Sequence, residues 1–245
     1  MTDSHSSGAP GPVAPQAPAG SVYGSYAAYL PRVMDMLVTH IEDFDRATRK
    51  RTGEGAYEHF NHRIKSESSM REKCERKGLP ATPVSALHDI HDAIGCRIVC
   101  SFVDDIYALV RHIRTRPEFE VIEEKDYVRH PKPNGYRSYH MIVSIATPFP
   151  DPTGATPGHY PAEIQLRTIA MDSWAALEHQ VKYKKDLGAA NVQIVTAELK
   201  RCADELASCD LQMQTIRNLI AEDNGGMDDD GADDDGAVAR QTEEA

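Results

Sequence analysis

PKPNGYRSYHMIVSI, residues 131–145, predicts a tight turn that leads directly into an apolar β-strand. Proline fixes φ and glycine tolerates a positive φ, so residues 131–135 are expected to form the turn. Side chains alternate between the two faces of the strand that follows. One face then carries a ring, a hydroxyl and an imidazole, from Tyr136, Ser138 and His140. Such a row suits the stacking of a nucleotide base and the binding of its phosphates, whereas a solvent-facing polar hairpin is the alternative interpretation.

A second strand, predicted over residues 162–166, adds an acid and an amide to this row. Glu163 and Gln165 share one face because they are two positions apart. If the two strands are neighbours, the carboxylate and the amide lie beside Tyr136 and His140. We therefore expect the chemistry of the protein to be centred where these two strands meet.

Helical and strand periodicities alternate along the chain and predict one mixed sheet flanked by helices. The predicted strands are 57–65, 97–102, 119–122, 140–145 and 162–166. The predicted helices are 26–51, 66–77, 104–116, 170–184 and 193–221. Loop-like connections favour an α/β (α+β) fold with N- and C-terminal helices over a doubly wound domain. Neither G-x-G-x-x-G nor a Walker loop is present, so side chains must hold any phosphate.

Composition separates a folded domain from two low-complexity tails. Residues 1–21 are rich in Pro, Gly, Ala and Ser, and residues 222–245 are acidic. Both tails are expected to be disordered around a domain at residues 22–221. Residues 221–245 hold ten Asp or Glu against one Arg and so carry −9 of the net charge of −11, which leaves −2 for the other 220 residues. This near-neutral core argues weakly against nucleic acid as a partner.

The sequence predicts a cytoplasmic protein. There is no run of about 18 apolar residues that would cross a membrane. The N-terminus lacks the basic and apolar regions of a secretory signal. The five cysteines include no C-x-x-C pair, which favours small buried residues in a reducing compartment over disulfides or a zinc site.

Two further clusters have the chemistry to bind polyphosphate and metal. Residues 63–77 contain six basic side chains, Arg63, Lys65, Arg71, Lys73, Arg76 and Lys77. They could converge on a triphosphate, although such a run is more often a solvated helix face. Asp92 comes just before Gly95 and an apolar strand, where a carboxylate could ligate Mg²⁺, which needs only one or two protein carboxylates. The nearby His88 and His91 are interpreted as structural.

Four segments together resemble the synthetase domain of the family that makes the alarmones pppGpp and ppGpp, and most of all the stand-alone small alarmone synthetases of the RelQ type. In family order they are RIKSESSMREKCERKG (63–78), DAIGCRIVCSFVDDIYALV (92–110), KDYVRHPKPNGYRSYH (125–140) and EIQLRTIAMDSWAALEHQVKYK (163–184). The resemblance implies a nucleotidyltransferase-like synthetase fold. It also implies a GTP diphosphokinase that transfers pyrophosphate from ATP to the 3′-hydroxyl of GTP or GDP and releases AMP, with Mg²⁺ as cofactor.

The resemblance further implies a role for each matching position. The residues expected to bind ATP are Arg63, Lys65, Lys73, Arg76 and Arg97. Those expected to bind GTP or GDP are Tyr136, His140, Gln165, Lys132 and Arg137. Asp92 and Glu163 are the implied catalytic carboxylates and metal ligands. The chain departs from the family pattern at Glu67, Cys74 and residues 93–94, but none of these departures removes a functional group.

The same resemblance sets expectations about regulation and assembly. The hydrolase and regulatory domains of the long bifunctional enzymes have no counterpart in 245 residues, so synthesis without hydrolysis is expected. The apolar stripe of the last helix, together with the tetramers of RelQ-like relatives, implies a homotetramer. The sequence leaves open whether GTP or GDP is preferred and whether a guanosine polyphosphate also acts as an allosteric effector.

Two rival functions remain at this point. One is a toxin-like synthetase of the same fold that acts on adenine nucleotides or on the 3′ end of tRNA. The other is a non-catalytic module that binds nucleotides or RNA. The presence of both Asp92 and Glu163 argues against the second rival, because binding polyphosphate does not require negative charge beside it.

Overall fold

The computed structural model describes residues 20–183 and 189–226, and a five-stranded mixed sheet lies at its centre. The strands are β1 (His59–Ile64), β2 (Ile94–Cys100), β3 (Phe119–Asp126), β4 (Tyr139–Thr147) and β5 (Gly158–Thr168). Their spatial order is β1-β2-β5-β4-β3. Strands β2 and β5 are parallel, and the other three neighbouring pairs are antiparallel. The predicted mixed sheet with flanking helices is confirmed.

The helices are α1 (Leu30–Thr52), α2 (Glu67–Arg76), α3 (Val103–Arg114), α4 (Ile169–Tyr183) and α5 (Ala189–Gly226). A 3₁₀ turn at Gly24–Ala28 precedes α1, and a short π-helical turn at Ser85–Asp89 precedes β2. Helix α2 begins where predicted because the Ser66 hydroxyl caps it, accepting the Ser69 backbone N–H at 3.3 Å. Gly78, with a φ of 68°, then allows the chain to turn away from the helix.

One face of the sheet forms the hydrophobic core because alternate residues of the central strands are apolar. The fully buried apolar members on the three central strands are Ile94, Ile98, Cys100, Met141, Val143, Ile145, Tyr160, Ala162, Ile164 and Leu166. Helices α1 and α3 pack against this face through apolar residues spaced three or four apart, such as Leu37 and Ile41 on α1 and Ile106 and Leu109 on α3.

Helix α5 is held to the domain by polar contacts as well as by packing. The Trp174 indole of α4 donates to the Leu199 carbonyl at 2.8 Å, and the Thr168 hydroxyl donates to Asp210 at 2.6 Å. Arg217 reaches Asp105 of α3 at 2.7 Å. The opposite side of α5 exposes apolar side chains between 49% and 68% of their area: Leu211, Met213, Ile216, Leu219 and Ile220.

Several predicted boundaries need correction. Strands β2, β3, β4 and β5 are longer than predicted, because backbone pairing in the sheet continues past the apolar runs. The last helix occupies Ala189–Gly226 rather than 193–221, so it extends five residues into the stretch predicted to be an acidic tail. The predicted tails otherwise lie outside the described residues, apart from residues 20 and 21, where the Ser21 hydroxyl donates to Glu67.

The prediction that every cysteine is buried is wrong for two of the five. Cys74, Cys96 and Cys100 are buried in the core, whereas Cys202 and Cys209 are exposed on α5. Helix α5 contacts the domain along one side only, and both exposed thiols lie off that side. Within residues 20–183 and 189–226, no helix combines the length and the apolarity needed to cross a membrane.

Candidate active site

The second face of the sheet is polar and open, and the strand register brings its side chains together. Paired positions form two rows across the strands. The first row joins Arg63 of β1, Gly95 of β2 and Glu163 of β5, and the second joins Arg97 of β2, Gln165 of β5 and His140 of β4. All of these residues except His140 line one open cleft of about 230 Å³. Because β2 and β5 are adjacent and parallel, the residues predicted for the two nucleotides meet at the middle of the sheet.

Asp92 lies at the turn before β2, between two lysines. Lys65 Nζ donates to Asp92 Oδ2 at 2.8 Å, and Lys73 of α2 donates to the same oxygen. Burial alone raises the pKa of the Asp92 carboxyl, but the two ammonium groups outweigh burial and hold the pKa below its ordinary value. Asp92 is therefore ionised at neutral pH.

Glu163 lies on β5 beside His140, whose Nδ1 is 3.6 Å from Glu163 Oε1. The imidazole lowers the pKa of Glu163 below its ordinary value, and Gln165 contributes in the same direction. Burial and the nearby charge of Asp92 act in the opposite direction without overcoming it. Glu163 is thus an ionised, half-buried carboxylate on the wall of the cleft, able to accept a proton from a ligand.

Tyr136 stands at the end of the turn and reaches the imidazole through its hydroxyl. The hydroxyl lies 2.9 Å from His140 Nε2. The Lys132 ammonium lies over the Tyr136 ring at 4.8 Å and over the Tyr127 ring at 4.7 Å, a cation–π contact with each. The turn thus gathers aromatic rings and a cation beside His140.

The prediction that Tyr136, Ser138 and His140 share one strand face is wrong at Ser138. Strand β4 begins only at Tyr139, so the alternation of side chains does not extend back over residues 136–138. Ser138 is fully buried and donates to the Leu166 carbonyl at 3.1 Å, which ties the turn to β5. Tyr136 meets His140 through the length of its own side chain rather than through strand geometry.

Two predicted residues lie outside both the cleft and the contacts around Asp92 and Glu163. Arg76 is exposed at the last position of α2. Arg137 donates to the Val128 carbonyl at 3.0 Å, and its other terminal nitrogen lies 3.4 Å from Asp204 of α5. Neither guanidinium contacts the Glu163 side of the cleft.

Two residues at the site were given no role from the sequence. Arg167 of β5 donates to Asp172 of α4 at 2.9 Å and to the Tyr136 hydroxyl at 2.8 Å. Asp172 also lies 3.5 Å from Arg97. Spacing could have identified Arg167, since it follows Gln165 by two positions on the same strand face. No pattern in the sequence indicates Asp172, because its position depends on how α4 leaves β5.

The residues at this site fit a divalent cation. Asp92 Oδ1 is buried and accepts no hydrogen bond from any described residue, so it retains the capacity to ligate. Glu163 is close enough for the charge of Asp92 to act on its pKa. Two such carboxylates suit magnesium, which completes its shell with water and phosphate oxygens. In the described part of the chain there is no cluster of three or more His, Cys, Asp or Glu residues arranged to hold a metal.

Comparison with known proteins places this chain in a recognised family. The family model described as "Region found in RelA / SpoT proteins" matches residues 62–188. The GTP pyrophosphokinase YwaC of Bacillus subtilis (strain 168) is 39% identical over 165 residues, which cover 67% of this chain and 76% of the relative. The GTP pyrophosphokinase YjbM of the same strain is 35% identical over 161 residues, which cover 65% and 72%.

Solved structures agree with the sequence comparison. Small alarmone synthetase 1 from Bacillus subtilis bound to its product pppGpp superposes with a TM-score of 0.67 at 28% identity, over 80% of this chain and 96% of that one. Small alarmone synthetase 2 from Bacillus subtilis has a TM-score of 0.63 at 34% identity, over 79% and 98%. The synthetase fold inferred from the sequence is confirmed.

Proposed function

Since this chain belongs to the RelA/SpoT family, we propose that the open face of its sheet transfers pyrophosphate from ATP to the 3′-hydroxyl of GTP or GDP. The chain is a GTP diphosphokinase that forms guanosine polyphosphates and releases AMP. The observation that carries this conclusion is the ionised Glu163 beside His140, on the same face as Asp92 and its two lysines. An acceptor for a hydroxyl proton therefore adjoins a cationic pocket suited to polyphosphate.

On the donor side, we assign the basic residues around Asp92 to ATP. Without a ligand, Lys65 and Lys73 both donate to Asp92 and neutralise its charge. Their ammonium groups are available to contact phosphate when ATP binds in the cleft. Arg63 and Arg97 are exposed on β1 and β2, where their planar guanidinium groups can flank the adenine. Arg76 is assigned to the triphosphate from the resemblance alone.

On the acceptor side, we assign the ring of Tyr136 to the guanine base. The imidazole of His140 and the amide of Gln165 line the path from that ring to Glu163. Lys132 is assigned to the acceptor phosphates and must then leave the Tyr136 ring face, where it lies 4.8 Å from the centroid. Arg137 is assigned to the acceptor phosphates from the resemblance alone, since its guanidinium already binds Val128 and Asp204.

The chemistry then follows from proximity and charge. Glu163 orients the 3′-hydroxyl and accepts its proton as the oxygen attacks the β-phosphorus of ATP in line with the leaving AMP. Lys65, Lys73 and the arginines stabilise the charge on the transferred group. Asp92 and Glu163 are the residues that would hold Mg²⁺, which when bound supplies charge neutralisation to the phosphate oxygens. Holding two bases in fixed positions removes much of the entropy cost of the encounter.

We also propose a homotetramer in the cytoplasm. The exposed apolar side of α5, where Leu211 and Ile220 are 68% and 57% exposed, is the surface suited to another copy of the chain. Cytoplasm is where ATP and GTP are available together. Multi-angle light scattering should give four times the chain mass of 27.1 kDa, and a monomeric mass would contradict the assembly.

The proposed function is tested by a product assay. Purified protein is incubated with Mg²⁺, ATP labelled at its β-phosphate, and GTP, GDP, no acceptor or tRNA, and the products are separated by chromatography. We expect label on GTP or GDP with an equal release of AMP. Label on adenine nucleotides or tRNA would instead support a toxin-like enzyme, and absence of transfer would support a binding module. Added pppGpp tests for an effector, and incubation with labelled product tests the expected lack of hydrolysis.

A further inference from the structure

Arg167 is a charged side chain enclosed within the polar network of the site. Only 6% of its side chain is exposed. Its guanidinium donates to Asp172 Oδ1 at 2.9 Å through Nη1. Its Nη2 donates to the Tyr136 hydroxyl at 2.8 Å and lies 3.4 Å from Gln165 Oε1. A guanidinium removed from water is costly unless it is paired, and the pairing here is directed at two residues of the acceptor side.

The chemistry of arginine fixes the direction of these hydrogen bonds. A guanidinium can only donate, so the Tyr136 oxygen must accept from Arg167. The Tyr136 hydroxyl also lies 2.9 Å from His140 Nε2, and the tautomer of the imidazole decides which of the two groups donates. Arg167 therefore holds the Tyr136 oxygen in place, at hydrogen-bonding distance from the imidazole that faces Glu163.

Asp172 links this arrangement to the donor side. Its Oδ1 accepts from Arg167 and lies 3.5 Å from Arg97 Nη1. One carboxylate thus holds an arginine from each half of the site. Because Asp172 sits in the first turn of α4, the helix that follows β5, the spacing of the two arginines is fixed by the fold.

We propose that Arg167, anchored by Asp172, is a positioning residue that presents the Tyr136 ring and the Gln165 amide to the acceptor nucleotide. This inference rests on the proposed function, since it assigns that ring to guanine. It gives Arg167 no contact with the reacting atoms. Its loss should therefore weaken GTP and GDP binding much more than it slows the turnover of bound substrate, and should leave the KM for ATP within about twofold.

The test is a double-mutant cycle between Arg167→Lys and Tyr136→Phe. Lysine keeps a positive charge beside Asp172 but lacks the fork that also reaches Tyr136. Phenylalanine keeps the stacking ring and removes the hydroxyl. Loss of a hydrogen bond to a charged group predicts GTP binding about tenfold weaker for Arg167→Lys. In the Tyr136→Phe background, Arg167→Lys should weaken GTP binding by less than about threefold, because the hydroxyl through which Arg167 acts is absent.

Binding can be read without turnover from intrinsic fluorescence. Trp174 is the single tryptophan of the chain, and its ring centroid is 6.4 Å from that of Tyr136. Its emission is therefore expected to change when the guanine of GTP or GDP stacks on the Tyr136 ring. Arg217→Lys is the matched control, since Arg217 also pairs with an aspartate, Asp105 at 2.7 Å, but on the α3 side of the domain. This control should leave GTP affinity unchanged, and thermal unfolding verifies that all variants are folded.

The outcomes separate this inference from the function on which it rests. Non-additive losses in folded variants support the role of Arg167 in positioning Tyr136. Equal losses in both backgrounds, or no loss from Arg167→Lys, would overturn that role while normal wild-type turnover keeps the function intact. A wild type that neither binds nor modifies GTP or GDP would overturn the proposed function and the inference together.

Discussion

The two faces of the central sheet are built from the same strands and differ in almost every physical respect. On β5, Ile164 is fully buried in the core, whereas its neighbour Glu163 faces the cleft with 27% of its side chain exposed. On β2, likewise, Ile98 is fully buried in the core and Arg97 is exposed on the open face. The alternation of a strand therefore gives each segment one set of residues for stability and another for chemistry.

The open face keeps charges that the core face could not hold. Asp92, Lys65 and Lys73 satisfy one another, yet Asp92 Oδ1 and Arg167 Nε remain buried without a hydrogen-bond partner among the described residues. Such groups cost stability and have a use only when a ligand arrives. The comparison predicts that changes on the open face mainly alter turnover and that changes on the core face mainly alter folding.

The sharpest test replaces Glu163 by Gln, which keeps the shape and removes the proton acceptor. Turnover should fall by about 10²–10⁴-fold, because that is the usual contribution of a general base. The midpoint of thermal unfolding should fall only slightly, since the side chain lies on the wall of the cleft with 27% of its area exposed. Glu120→Gln, an exposed carboxylate on β3, is the control and should retain full turnover. Wild-type turnover by Glu163→Gln would disprove the assignment.

Asp92→Asn tests the other carboxylate of the open face. Removing its charge leaves Lys65 and Lys73 without their shared partner and weakens the proposed metal site. We expect turnover to fall by about 10²-fold, a typical loss for one electrostatic element of a site. The Mg²⁺ concentration that gives half-maximal activity should rise, measured by titration at saturating ATP and GTP. An unchanged Mg²⁺ requirement would remove Asp92 from the metal site.

On the core face, Ile164→Ala should have the opposite signature. The side chain is fully buried between the sheet and its helices, so its truncation should lower the free energy of unfolding by about 2–5 kcal/mol. Ile164→Val, which removes one methyl group, should cost about 0.5–1.5 kcal/mol. Urea unfolding followed by circular dichroism measures both. If neither variant is destabilised, the packing described for this face is wrong.

Gly95→Ala tests the space on the open face directly. The nearest atom to an added Cβ is the Glu163 carbonyl oxygen at 3.9 Å, an ordinary contact, so the fold should tolerate alanine with an unchanged thermal midpoint. The new methyl group would project between Arg63 and Glu163, into the cleft. A small displacement of substrate there should reduce kcat/KM by about tenfold. Undiminished kcat/KM would mean that the reacting groups meet elsewhere.

The smallest effect is expected at the edge of the site, where α5 contacts Thr168. Burial raises the pKa of Asp210 above its ordinary value of 3.8, although Thr168 donates to it. Ionisation of Asp210 therefore lowers the free energy of unfolding when the pH is above the raised pKa. This destabilisation is absent below pH 3.8, where the carboxyl is protonated in both the folded and the unfolded state. Asp210→Asn should stabilise the protein at pH 7 by less than about 1 kcal/mol after solvent screening, or roughly 1–3 °C in Tm.

A control for this prediction lies on the same helix. Hydrogen bonds from Lys200 and Arg137 lower the pKa of Asp204, so its ionised form is favoured in the folded state. Asp204→Asn should therefore give no stabilisation at pH 7. The two variants are compared by thermal unfolding at pH 7 and again near pH 3.5. At the lower pH, Asp210→Asn should no longer raise the Tm.

Local pattern was sufficient for much of the fold. Apolar spacing together with cap and turn residues predicted all five strands and all five α-helices, and a serine N-cap, at Ser66 or Ser68, predicted the start of α2. Boundaries were less accurate, because backbone pairing extends β5 back to Gly158 through residues that carry turn composition. Strand alternation was also applied too far at Ser138, which precedes the first paired residue of β4.

The sequence by itself determined which chemical groups the protein has: two carboxylates, a set of basic side chains and an aromatic turn, in an order that identifies the family. Only the tertiary structure decided how they combine. Placing β2 and β5 side by side in parallel brings Gly95 opposite Glu163, and the exit of α4 from β5 sets Asp172 between Arg97 and Arg167. The pairing of Gly95 with Glu163 and the contact of Arg97 with Asp172 join residues far apart in the chain. They depend on strand order and helix direction, which residue spacing does not encode.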